Sequence, residues 1–508
     1  MKIQATYIEE PDLVFGNSQE EKDPKLGSMH FGPYLPSDAK TPSQTHIRVG
    51  IIGNSNSTML AKKIVQLLGD SIKSDEWNRW LYPDYPGFRL DNKIRCGFVS
   101  SDIWNEKITN YEIKKVLEIV DVNERIGAAS DLFINKIEKI ALEDSPPQVI
   151  VCAIPKEIED YCGISEKTRG AKRPKFTSRE KDIERMKQEG QTFLSQWGVE
   201  IHQEEKRVKS FDLRNALKGK AMKLNIPTQL LRETTAIAIL NYPNSKGQIR
   251  QNPATFAWNF STGLYYKALG RPWRLAKLAF GTCYIGISFY RTLLRATSNL
   301  ETAMAQVFTH TGEGFVLRGS DVIIDRQTGQ PHLTHTQAET ILRDAIEKYT
   351  DKVKTEPNRV VVVHKTSYFS EEEIEGFDAA IGKIPKDYVS ISKNTDFRFL
   401  RTGNYPVLRG TLITLSPSEY LLFATGYTPR IRTYPGLRIP RPLLIKHCGD
   451  SEIKTICSEI LGLTKLNWNT TSFSTQLPIT LEFAQRVGKV LSEIRPASKI
   501  QDHYRFYM

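Results

Sequence analysis

KRVKSFDLRNALKGKAMKLNIPTQLL, residues 206–231, decides how the rest of the chain is read. Lys206 to Lys223 carries seven basic residues and one acid, +6 of the chain's net +12. The spacing predicts an amphipathic helix over Phe211 to Leu224 and, after Asn225, a strand over Ile226 to Leu230. Arg214 and Lys218 are four apart and share one helix face, while Gln229 follows at the end of the next strand. A guanidinium, an ammonium and an amide converging on one spot suit a terminal phosphate, because charge-assisted bonds to its oxygens are the strong kind.

Upstream, strands alternate with helices. Strand Ile47 to Ile52 runs through a polar turn into a helix at Met59 to Leu68, then strand Cys96 to Val99, a helical region from Tyr111 to Leu142, and the apolar run Val149 to Ile154. That order predicts a parallel sheet covered on both faces. The turn Gly50-Ile-Ile-Gly53-Asn-Ser-Asn lacks G-x-G-x-x-G, so no dinucleotide site is expected there. Residues 1–45 read as an extended lead-in with one strand, Thr6 to Phe15, and residues 164–190, with nine basic and five acidic residues, as a solvated charged insert. Downstream, Asn259 to Leu269 is a helix. From Pro272 a second series begins: strands at Leu278 to Ser288, Ala303 to Phe308, Gly314 to Arg318 and Val322 to Asp325, a helix at Gln337 to Thr350, then the buried strand Arg359 to His364. A helix at Glu371 to Ile381, strands Tyr388 to Ser392, Gly410 to Leu415 and Tyr420 to Thr425, and helices Asp450 to Leu461 and Thr480 to Leu491 complete it. Hairpin strands followed by alternating strands and helices is the order of an RNase H-like domain, though other α/β folds share it.

With 508 residues, two to four domains are expected, and 40% apolar with 25% charged residues excludes disorder as the main state. No run of about 18 apolar residues and no signal-like start is present, which predicts a cytoplasmic protein. Six cysteines without a C-x-x-C pair read as reduced core thiols. G-x-x-x-x-G-K-[ST], H-E-x-x-H and G-x-S-x-G are absent, leaving P-loop, zinc-protease and esterase chemistry without a motif. Two further basic runs lack acids: Lys267, Arg271, Arg274 and Lys277 in YYKALGRPWRLAK, and Arg430, Arg432, Arg438, Arg441 and Lys446 in PRIRTYPGLRIPRPLLIK. Acid-free runs interleaved with aromatics, without an amphipathic period, fit a nucleic-acid backbone better than a membrane.

Ile226-Pro-Thr-Gln-Leu-Leu after a basic helix, then Trp258-Asn259 and Tyr265-Tyr266-Lys267-Ala268-Leu269-Gly270, resembles the MID domain of prokaryotic Argonautes. Gly286-Ile-Ser288, Val361-Val-Val-His-Lys365, the helix start Glu373 to Gly376, Leu477-Pro-Ile-Thr480 and the ending Phe506-Tyr507-Met508 resemble a PIWI domain. The resemblance is close over residues 195–508 and positional before them. It implies an N-terminal extension (1–45), a Rossmann-like MID domain (46–271) and an RNase H-like PIWI domain (272–508). The length is short for a full Argonaute, so the resemblance is to the short prokaryotic class, whose members pair with a separate APAZ-domain effector, TIR or sirtuin-like and NAD-consuming, or a nuclease.

Carried over by position, the resemblance implies that a guide's 5′-phosphate meets Arg214, Lys218, Gln229 and Lys267, with Asn259 nearby. Arg214 stands where the family usually has Tyr or His, which makes its role ionic. Arg271, Arg274, Lys277, Arg430, Arg432, Arg438 and Arg441 are expected on the nucleic-acid backbone. A Mg²⁺ ion is expected between the guide's first phosphates and the carboxylate of Met508. A slicing PIWI domain needs carboxylates to hold two metal ions. The expected positions read Ser288 and Thr366, and Asn467-Trp468-Asn469 near the last, all neutral. Glu313, which could be taken for a catalytic glutamate, reads as a turn residue. The expected function is therefore a catalytically inactive sensor that binds a 5′-phosphorylated guide RNA and a complementary single-stranded DNA target and activates its effector in abortive defence against plasmids or phages. The alternatives are an active RNase H-like nuclease, a partner of a nuclease-APAZ effector, and an oligomeric scaffold whose basic patches meet protein acids.

Overall fold

The computed structural model describes residues 4–36, 45–163, 209–245, 251–291, 301–308, 313–319, 322–324, 329–434, 439–494 and 500–508. The charged insert expected at 164–190 and Arg438 lie outside them. Among the described residues the strands are, in chain order, β1 Gln4–Tyr7, β2 Leu13–Val14, β3 Glu20–Glu21, β4 His46–Gly53, β5 Gly97–Val99, β6 Asn105–Lys107, β7 Val149–Ile154, β8 Thr228–Arg232, β9 Arg274–Leu275, β10 Thr282–Arg291, β11 Glu301–Phe308, β12 Gly314–Val316, β13 Ile323–Ile324, β14 Pro331–His332, β15 Arg359–Lys365, β16 Lys386–Ser392, β17 Thr411–Thr414, β18 Glu419–Leu422 and β19 Leu443–Gly449.

The first large sheet is Rossmann-like and parallel, in order β5-β4-β7-β8 with β6 also on β4. β7 is the VIVCAI run, buried throughout. Val149, Val151 and Ala153 face one apolar cluster and Ile150, Cys152 and Ile154 the other, the alternation of a strand covered on both sides. The helical region expected over 111–142 is two helices, Asn110–Leu117 and Val122–Ala141, because Asp121 turns the chain and accepts hydrogen bonds from the amides of Asn123 and Glu124, both at 2.9 Å. The strand expected at Ile226 to Leu230 starts two residues later, and a helix at Glu233–Leu240 follows it that its β-branched sequence does not announce.

The second large sheet has nine strands in order β1-β17-β18-β19-β16-β15-β10-β11-β12. The centre, β10, β15 and β16, is parallel, and the flanks are antiparallel, the RNase H-like arrangement. One face is covered by the helices His335–Val353 and Glu371–Ile381, the other by Ile453–Leu463 and Ile479–Leu491. The last of these lies so close to β10 that a Cβ at Gly286 would stand 2.6 Å from the Thr480 carbonyl oxygen. Gly286→Ala is therefore expected to lose about 1–3 kcal/mol of stability as helix and strand are forced apart, measurable as a lower urea midpoint.

The front of the chain departs from expectation. In place of one strand over Thr6 to Phe15 there are two, in different sheets: β1 pairs with β17 at the edge of the nine-stranded sheet, and β2 joins β3 and β9. A helix, Pro24–Phe31, follows, capped by Asp23. Side chains fix this course. Glu10, with its side chain only 9% exposed, receives Arg409 Nε and Lys465 Nζ, both at 2.7 Å, and both cations are themselves buried. Local periodicity cannot show a strand whose partner is hundreds of residues away.

Candidate nucleic-acid interface

The two sheets meet over an apolar cluster that includes Met222, Tyr266, Trp273, Trp468, Phe483, Tyr504, Phe506, Tyr507 and Met508. Above it three elements converge: the helix Leu213–Ala221, β8, and the helix Pro253–Lys267. Asp212 caps the first, its carboxylate accepting from Asn215 N at 2.8 Å, and Asn252 caps the last, accepting from Thr255 N at 2.8 Å. Four predicted residues are thereby gathered. Lys218 Nζ donates to the Thr228 carbonyl at 3.1 Å and to the Met508 main-chain oxygen. Lys267 Nζ donates to Gln229 Oε1, and Arg214 is close enough to both lysines to shift their ionisation.

Both lysines are almost fully buried, and burial is the largest influence on each. It holds Lys218 well below the usual ammonium range, with Lys267 and Arg214 adding like-charge repulsion. Lys267 falls to about 7 through burial and then the Arg214 charge. Arg214 is itself lowered by burial and by Arg486. Arg486 belongs to the site although the sequence reading passed over it; its guanidinium grips Glu482 at 2.8 Å. The available signal was its spacing four residues from Glu482 on the amphipathic C-terminal helix. Arg505 also joins, donating to the Lys267 carbonyl at 3.0 Å. Burying like charges side by side is costly unless an anion completes them, and such perturbed groups gather where ligands bind.

Asn259 lies one face away. Its Oδ1 accepts from Thr471 N at 2.8 Å, Thr471 Oγ1 at 3.0 Å and Thr470 Oγ1 at 3.2 Å, so it ties the helix to the 467–472 loop. That loop carries the asparagines expected near the fourth catalytic position, and they take part in this junction. A Cβ at Gly263 would lie 3.9 Å from Gln229 Oε1 and 4.0 Å from Asn469 Oδ1, Asn467 donates to Glu482 at 3.0 Å, and the Trp468 ring packs 4.8 Å from that of Tyr266. The register of a loop between two helices has no sequence period to fix it.

Mg²⁺ finds little here to hold it. Among the described residues no group of three His, Cys, Asp or Glu side chains could hold a metal ion, and the Met508 oxygen is taken by Lys218 amid further cations. These residues alone do not fit a divalent ion.

The basic runs are acid-free in sequence but not in space. Arg271 pairs with Glu313, which is thus an ion-pair partner as well as a residue leading into β12, and Arg271 and Arg274 stand 5.7 and 5.2 Å from the Tyr34 ring centroid. Arg430 meets Glu21 through Nε at 3.1 Å and Nη2 at 2.6 Å, and Lys446 pairs with Glu419 at 2.6 Å. Lys277, Arg432 and Arg441 are exposed.

At the carboxyl ends of β10 and β15, Ser288 is buried and its Oγ has no hydrogen-bond partner among the described residues, while Thr366 is exposed. Lys365 is buried, its Nζ 2.5 and 2.6 Å from the two Glu373 oxygens and 5.5 Å from both the Phe289 and Phe369 ring centroids. Glu373 also accepts from the amides of Leu333 and Ser370, both at 2.9 Å, so this acid is consumed by an internal pair.

No protein-family model and no curated protein matches the sequence. Solved structures do match in fold. Clostridium butyricum Argonaute, bound to a guide DNA and a 19-mer target DNA, is similar over 100% of this chain at 16% identity and a TM-score of 0.64. A. aeolicus Argonaute is similar over 100% at 13% identity and 0.56, and Drosophila Piwi over 99% at 12% and 0.58. The chain spans 55–56% of the length of these structures. Its α/β fold, a Rossmann-like unit followed by an RNase H-like unit, is that of Argonaute MID and PIWI domains. No helix among the described residues is long and apolar enough to cross a membrane.

Proposed function

We propose that this chain is a guide-loaded nucleic-acid sensor of the short prokaryotic Argonaute kind. The carrying observation is the buried cation cluster, in which Lys218, Lys267 and Arg214 repel one another and Gln229 faces Lys267. A 5′-terminal phosphate with close to two negative charges would complete it, and its three oxygens match several fixed donors. An Mg²⁺ ion at this end would have to draw its other ligands from the strand's own phosphates. The guide is RNA and the target a complementary single-stranded DNA in this reading; base pairing supplies specificity and the protein reads backbone charge and duplex shape. Target pairing then shifts a bound APAZ-domain effector, TIR or sirtuin-like, toward its active state in the cytoplasm, in defence by host-cell death; a nuclease effector is the neighbouring variant.

We further propose that the RNase H-like sheet does not cut. Ser288 and Thr366 cannot supply metal-binding carboxylates, and Glu373 is held by Lys365. A guide-matched target incubated with the purified chain and Mg²⁺ or Mn²⁺ is expected to remain intact; guide-directed cleavage would establish the nuclease reading instead. The main test is to purify the chain with the protein encoded beside it and sequence the bound small nucleic acids. Enrichment of 5′-phosphorylated strands of defined length supports the proposal, and random fragments with 5′-hydroxyl ends overturn it.

A further inference from the structure

The turn Thr428–Thr433 and the loop around Trp80 are built against each other from different units. Asn78, buried, does the joining: its Nδ2 donates to the Ile431 carbonyl at 3.0 Å, and its Oδ1 accepts from Trp80 N and Leu81 N, both at 3.1 Å. The bridge between Thr428 and Thr433 closes the turn, and Arg432 sits at its tip in the left-handed region with φ 52°. A non-glycine residue pays for that conformation, and the tight closure holds it there. As a result two guanidiniums flank one indole, Arg430 at 5.4 Å and Arg432 at 5.2 Å from the Trp80 ring centroid.

Arg430 is already paired with Glu21. Arg432 is exposed, and among the described residues its guanidinium meets the indole and no acid. Trp80 keeps 37% of its surface in solvent, and Trp77 on the same loop keeps 85%. Three residues before Arg430, Tyr427 stacks on Tyr405 at 4.2 Å with Arg401 5.7 Å from its ring, so the pairing of aromatic face with guanidinium continues along the surface. Large exposed indoles beside an unneutralised guanidinium, that of Arg432, are a costly surface to keep without a ligand.

We infer that Trp77, Trp80 and Arg432 form a stacking platform for unpaired nucleic acid, separate from the pocket that takes the terminal phosphate. The Trp80 indole offers a flat face to a base of any sequence, Trp77 on the same loop offers a second, and Arg432 beside Trp80 offers its outer edge to the adjoining phosphate. An acidic protein would satisfy the arginine and leave the indoles in water, whereas a single strand uses both. A duplex cannot, because its bases are already stacked. The inference rests on the proposed function only in that the chain handles nucleic acid at all.

The test is equilibrium binding of labelled oligothymidine and oligouridine of about 15 nucleotides with 5′-hydroxyl ends. Trp80→Ala and Arg432→Ala are each expected to weaken both about tenfold, the size of one lost base stack. Trp80→Phe should retain most of the affinity, and a blunt duplex should bind all variants alike. Trp77→Ala and Arg432→Gln alter only exposed side chains and serve where Trp80→Ala folds poorly. Wild-type affinity for the single strands in these exposed-site variants, or an equal loss on the duplex, overturns the inference. The guide reading is followed separately by the affinity ratio of 5′-phosphorylated to 5′-hydroxyl strands, which should collapse in Lys267→Ala and stay unchanged in Arg432→Gln.

Discussion

Replacing Lys218 and Lys267 together by methionine is expected to weaken binding of a 5′-phosphorylated strand at least about 100-fold at pH 7, from two lost charge-assisted bonds of roughly 1.5–3 kcal/mol each. Binding of the 5′-hydroxyl strand should change little. The same variant should lose little stability in urea, because relief of the like-charge burial offsets the hydrogen bonds that the two ammoniums give Thr228, Met508 and Gln229. Methionine keeps the apolar stem of lysine, and the charges removed stand among like charges with burial against them. A structural role would give the opposite pair of results, lower stability and unaltered discrimination between 5′ ends.

A pH dependence accompanies this. Burial and Arg214 hold Lys267 at about 7, below its ordinary 10.5. Between those values the unfolded chain binds more protons than the folded one, so this group's contribution to stability improves as pH rises from about 7 toward 10.5. A bound phosphate needs the charged lysine, so affinity for the phosphorylated end should run the other way. It should be greatest between about 6, where the second phosphate proton leaves, and 7, where Lys267 loses its own. Lys267→Arg should flatten the alkaline side, as measured by titrating affinity against pH.

Glu10→Ala is the second large effect expected, a loss of about 3–5 kcal/mol in urea unfolding, because two buried cations, Arg409 and Lys465, would lose their shared anion. Burial alone would raise the Glu10 carboxyl, but Arg409 and Lys465 together hold it below the ordinary 4.5. The stabilisation is therefore complete above about 4.5 and is lost as pH falls through the lower folded value. In Glu10→Ala that acid-side step should be smaller.

The clustering of these cations was legible because its logic is local. Arg214 and Lys218 share a helix face by spacing, and Gln229 lies one turn of chain beyond, so the sequence period places three of the groups before any packing is known. The buried strands β7 and β15 were legible for a similar reason, being unbroken apolar runs. The neighbours of the basic runs were not. Arg430 looks free in PRIRTYPGLRIPRPLLIK, yet its partner Glu21 comes from the opposite end of the chain, and the same stretch hides β19 behind its charges. Contacts of that kind depend on topology, which composition does not carry. Arg486 was missed because a cation on an amphipathic helix ordinarily faces water, and here it faces the cluster.

The pairing of β1 with β17 bears on how the molecule is made. Gln4 opposes Thr414, a separation of 414 − 4 = 410 residues. At roughly 5–20 residues per second of synthesis, β1 emerges from the ribosome about 20–80 seconds before its partner. During that interval the leading segment must stay unpaired, although the parallel sheet behind it can already close. The first of the nine strands to be translated thus closes its edge of the sheet only after β17 exists, which makes that closure a late step of assembly.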